Sequence, residues 1–137
     1  MTKFSRGFFW FGLLYAALAY SFLGGLFLVN PAIIESYAVT LNAPHAYSAI
    51  RAGFGAQFLG LAFIAWWGIF FKAQRWSALA IVTVLTGIIV ICRLVGLTVD
   101  GMTPINLTEL RDEGISFVVF LLAVWCGRIS TVNDNVA

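Results

Sequence analysis

The sequence predicts an all-α integral membrane protein, a four-helix transmembrane bundle with both termini in the cytoplasm. Three observations lead there. Of 137 residues, 61% are hydrophobic and only 10% charged, with a mean hydropathy of +0.95. That composition belongs to membrane proteins rather than to water-soluble domains. The apolar residues gather into long uncharged stretches, and a helix needs about 20 such residues to cross a bilayer. Short polar connections separate the stretches, which leaves room for about four spans and for no soluble domain. Residues 1–137 are thus one membrane domain with helices at about 7–29, 44–71, 77–99 and 107–128.

The first stretch opens like a signal peptide, with Lys3 and Arg6 ahead of an apolar run and Ala17-Leu18-Ala19 resembling a cleavage site. The run from Gly7 to Val29 is 23 residues without a charge, too long for a signal peptide and right for a span. It is expected to be retained as helix 1. Gly24 and Gly25 near its end are expected to let a neighbouring helix approach closely. Asn30-Pro31 then breaks it.

Asn42 and Pro44 read as a cap and a first-turn proline, starting a second helix with Arg51 about two turns in. Small residues at Ser48, Ala52, Ala56 and Gly60 form a packing seam, and Arg51, Gly55, Phe58 and Ala62 follow a second stripe beside it. Lys72 to Arg75 make a polar turn, with Trp66, Trp67 and Trp76 expected as interfacial anchors.

Helix 3 carries an arginine inside its apolar run. Sixteen uncharged residues, Ser77 to Cys92, precede Arg93, and six more separate it from Asp100. A span ending at Cys92 would be too short, so Arg93 is expected within the membrane, roughly 10 Å from the helix end. Thr83, Thr86, Val90, Arg93, Leu97 and Asp100 fall on one stripe, which turns Arg93 toward the other helices. Helix 4 has only 14 uncharged residues, Gly114 to Gly127. To span it must begin near Leu107 and take Asp112 and Glu113 into the outer membrane region, with Asn106 and Glu109 as a capping box. Its inward stripe reads Glu109, Glu113, Ser116, Phe120, Ala123, Gly127.

Lys3, Arg6, Lys72, Arg75 and Arg128 all flank one side, so the positive-inside rule places both termini in the cytoplasm. In that arrangement Arg51, Arg93 and Glu113 reach one depth on three helices, near the outer surface. Asp100, Glu109 and Asp112 form an acidic rim above them, and His45 sits at the same rim. Mutual pairing is a sufficient reason for the three buried charges, since an unpaired one costs about 2.5–3.5 kcal/mol by insertion scales. The functional reading is a small outward-facing site, because intramembrane charges also mark binding sites and pathways. Two arginines against one glutamate leave a positive charge. A lipid-like anionic amphiphile would place its head at Arg51 and Arg93, with Asp100 near, and its tail along Phe58, Val90 and Phe120.

Other chemistries find no support. A net charge of +2 without a basic run excludes nucleic-acid binding, and one histidine, His45, excludes a metal centre built on several. Cys92 and Cys126 lie at different depths in antiparallel helices and read as packing residues, with no CxxC pair. No cofactor, metal or catalytic group is assigned.

The blocks YSAIRAGFGAQFLGLAFI, GIIVICRLVGLTVDG and TELRDEGISF resemble the three signature blocks of small four-helix bacterial membrane proteins catalogued as domain of unknown function 4345, related to the DoxX-like group. Here the pattern is carried by Arg51, by Arg93 with Asp100-Gly101, and by Glu113. Gly55-Ala56 stands where the family often doubles a glycine. The resemblance implies the four-helix fold, the bacterial inner membrane and no known reaction. Through the DoxX-like group it also implies an accessory role in a larger membrane complex, such as an oxidoreductase. A homo-oligomer, and a proton-coupled transporter with Glu113 as carrier, are the further readings.

Overall fold

The computed structural model describes residues 3–37, 40–41, 44–99 and 101–134. Its regular elements are all helical: α1 (Lys3–Val29), α2 (Pro44–Ile50), α3 (Ala56–Phe70), α4 (Arg75–Val99) and α5 (Pro104–Asp134). Short 3-10 segments at Pro31–Tyr37 and Lys72–Gln74 connect them, and a π-helical turn, Arg51–Gly55, joins α2 to α3. Three helical stretches are long and apolar enough to cross a membrane: Phe4–Val29, His45–Phe70 and Lys72–Val99. The chain is therefore a helical membrane protein. Asp100 and the predicted cap Asn42 lie outside the described residues.

Each helix begins and ends for local reasons. α1 stops at Val29, ahead of Pro31, which cannot continue it. Gly101 has a φ of +92°, a conformation that glycine adopts without strain, and so makes the turn between α4 and α5. The start of α5 differs from the predicted capping box. Thr103 is the cap: its Oγ1 accepts the backbone N–H of Asn106 at 3.2 Å, and Pro104 takes the first helical position. The helix thus starts three residues earlier than Leu107, and Glu109 is a side chain of its second turn rather than a cap partner.

α1 packs along α3 and α5, and α4 along α5 and α3. The core between them holds Leu13, Ala16, Ala17 and Tyr20 of α1, Leu61 and Ala65 of α3, Leu79 and Val82 of α4, and Phe120 and Ala123 of α5. Close approach depends on particular glycines. A Cβ at Gly24 would sit 2.8 Å from the backbone nitrogen of Leu59, so α1 and α3 meet there nearly backbone to backbone. At Gly25 an added Cβ meets nothing within 4 Å. Of the two, only Gly24 serves the approach.

The outward face is apolar: Phe22, Phe63, Ile91 and Trp125 are each at least 60% exposed. On a soluble protein so much exposed hydrocarbon would aggregate; in lipid it is solvated. Trp67 and Trp76 belong to this face. Trp66 does not, because its Nε1–H turns inward to donate to Ser21 Oγ at 3.0 Å. Trp10 instead packs under the guanidinium of Arg75, 4.4 Å from its ring centre, at the end where the basic residues gather.

Candidate functional site

Arg93 reaches out from α4 six residues before its end and meets α5. Its Nε donates to Glu113 Oε2 at 3.1 Å and its Nη2 to Glu113 Oε1 at 3.3 Å, a two-pronged contact suited to a planar guanidinium. Its Nη1 lies 2.5 Å from Glu109 Oε2. Glu109 and Glu113 are four residues apart, so both stand on the same face of α5, one turn above the other. The side chains of Arg93, Glu109 and Glu113 are 35%, 16% and 25% exposed, sheltered without being sealed off.

The other predicted members take different places. Arg51 is exposed, and its Nε donates to the Leu28 carbonyl at 3.0 Å. That carbonyl is in the last turn of α1, where acceptors lack helical partners and a cation is favoured by the helix dipole. The reason Arg51 leaves its expected stripe is the π-helical turn that begins with it. Gly55 and Ala62 stay buried as the α-helical spacing requires, but the wider turn rotates Arg51 off their face. His45 is exposed on α2. Asp112, at the predicted rim, pairs outward with Arg111 at 2.8 Å and also borders the recess described next.

Three partly enclosed hollows adjoin at the pair, of about 390, 430 and 440 Å³. Phe58 and Glu113 form part of the wall of all three. The first runs inward past Tyr15, Tyr20, Thr86 and Phe120. Its polar lining is tied down: the hydroxyls of Tyr20 and Thr86 are 2.5 Å apart, and those of Tyr15 and Ser116 2.9 Å. The second lies between Phe27, Ile34, Phe54 and the charges Arg93, Glu109 and Glu113. The third extends past Gln57, Ile88 and Cys92. Val90, predicted as tail wall, lines none of these three, whereas Ile89 lines two.

The aromatic wall of Phe27 and Phe54, and Asn106 in the lining of the second and third hollows, are not among the site residues the sequence picks out. Phe27, in the last turn of α1, continues the buried α-helical stripe of Leu13 and Tyr20, which could have signalled it, whereas Phe54 lies in the π-helical turn, where α-helical counting fails. Among the described residues no group of three or more His, Cys, Asp or Glu is arranged to hold a metal ion.

The family model described as a domain of unknown function, DUF4345, matches residues 3–110. The chain belongs to this family. In this DUF4345 protein the matched region contains Arg51, Arg93 and Glu109 and ends before Glu113. The family's description supplies no reaction. No curated protein and no solved structure matches the chain.

Proposed function

We propose that this DUF4345 protein is a four-helix bundle of the bacterial inner membrane, with both termini cytoplasmic, that binds an amphiphile. Its recess opens toward the outer surface. Three helices qualify as spans on composition, and α5 packs lengthwise against α1 and α4. The 31 residues of α5 reach about 46 Å, enough to cross. Its charged second and third turns lower its hydropathy, and two of those charges, Glu109 and Glu113, are held by Arg93.

The observation that carries the binding reading is the convergence of three mostly apolar hollows on one polar cluster. An apolar recess with a few convergent polar groups is the usual form of a small-molecule site. The apolar part of the ligand lies along Phe58 and Phe120, and its head lies beside Arg93, Glu109 and Glu113. Arg51 is left out of the head-group site, since it is engaged at the end of α1.

Native mass spectrometry of the protein extracted in mild detergent tests this. Wild type and Arg51→Ala are expected to retain one bound amphiphile, and Glu109→Gln and Glu113→Gln to lose most of it. Equal retention in all four would reduce the charges to struts of the fold.

A second reading rests on a separate observation. The seam Ser48, Ala52, Ala56 and Gly60 is exposed rather than packed against the chain's own helices. A partner helix is the occupant small residues favour. In this reading the protein is an accessory subunit of a larger complex, or one copy of a homo-oligomer. A stoichiometric partner at native expression would support it.

A further inference from the structure

The charge balance of the recess points to the kind of head group it takes, an inference that rests on the amphiphile-binding reading above. We infer that the ligand is an organic cation, an amine or ammonium group on an apolar body. The second hollow lies between two unlike walls. One, from α1, the π-helical turn and α3, is aromatic: Phe27 stacks with Phe54 at 5.5 Å and with Phe58 at 5.8 Å between ring centres. The other, from α5, carries Glu109, Asp112 and Glu113. Arg93 of α4 is the basic residue of this lining.

Each nitrogen of the Arg93 guanidinium is already engaged by a carboxylate. An anionic head would have to displace Glu109 or Glu113, leaving a sheltered carboxylate facing another negative charge. That is the costly direction in a medium of low dielectric. A cation meets the opposite situation. The two carboxylates and one guanidinium together carry a formal charge of −1, and Asp112 adds another at the edge, partly offset by Arg111. The π faces of Phe27, Phe54 and Phe58 attract the same cation through their negative quadrupole and accept its hydrocarbon. Aromatic and acidic walls thus favour one ligand charge, and that charge is positive.

Two probes of the same shape and opposite charge, tetraphenylphosphonium and tetraphenylborate, test the sign directly. Binding is measured by equilibrium dialysis to the protein in phosphatidylcholine nanodiscs, with empty nanodiscs subtracted. Wild type is expected to show saturable binding of the cation, tighter than the anion by on the order of tenfold or more. Glu113→Gln and the more exposed Asp112→Asn are each expected to weaken it several-fold. Preference for the anion, or cation binding unchanged in both variants, overturns the cationic assignment while leaving any amphiphile retained in native mass spectrometry in place. Saturable binding of neither probe, with no retained amphiphile, overturns this inference and the binding reading together.

Discussion

Replacing Glu113 by glutamine removes the carboxylate that receives the Nε and Nη2 of Arg93 but leaves Glu109 on Nη1. The loss is therefore expected to be moderate, about 1–2 kcal/mol, between the values for exposed and fully buried pairs. Glu109→Gln combined with Glu113→Gln strips both partners and is expected to cost more than the sum of the two singles. Adding Arg93→Gln to that pair should restore part of the loss, since no sheltered cation then remains. Unfolding in detergent across this set of variants gives the coupling; strict additivity would show that the three side chains do not interact. The Arg93–Glu113 pair was legible in the sequence because both lie on inward stripes and counting from the helix ends brings them to one depth. The Glu109 contact was not, because Glu109 was read as half of a capping box. With Thr103 as the cap, Glu109 turns instead toward Arg93.

At the scale of the element, glycine spacing and helix type decide what counting can see. The small-residue seam on the second span is real as a pattern, yet it faces outward, while Gly55 and Ala62 on the neighbouring stripe face the core. The π-helical turn at Arg51–Gly55 explains the misplaced arginine, and no periodicity in the sequence announces it. It also brings Gly55 against α1, where an added Cβ would lie 3.5 Å from the Leu28 nitrogen. Gly24 is the stronger test of this contact. Gly24→Ala would place its Cβ 2.7 to 2.9 Å from Leu59, and the atom in the way includes backbone, which cannot rotate aside. Separating α1 from α3 is expected to cost about 1–3 kcal/mol, seen as a clear fall in melting temperature in detergent. Gly25→Ala is the internal comparison, expected to be neutral or slightly stabilising because the space beside it is open. Similar effects for the two substitutions would mean that α1 and α3 do not meet at Gly24.

For the whole molecule, the apolar runs made the membrane class and the order of helices readable, because lipid demands long uncharged segments and nothing else in the chain competes with that demand. The last helix, α5, is harder to read, since Glu109, Arg111, Asp112 and Glu113 crowd its first turns and its hydropathy keeps it out of the three apolar stretches long enough to cross a membrane. Orientation is a separate matter, resting on where the positive charges lie. Lys72 and Arg75 sit where α3 gives way to α4, Arg6 near the start of α1 and Arg128 toward the end of α5. If these residues stay in the cytoplasm, the 3-10 segment Pro31–Tyr37 and the Arg93 recess face the opposite side. A single cysteine at Ala32, in a variant with Cys92 and Cys126 replaced by alanine, reports the side directly. In intact spheroplasts Ala32→Cys is expected to react with a membrane-impermeant maleimide, and a cysteine placed at Ala73 only after lysis. The reverse pattern would turn the recess toward the cytoplasm, and any ligand would then have to reach it from inside the cell.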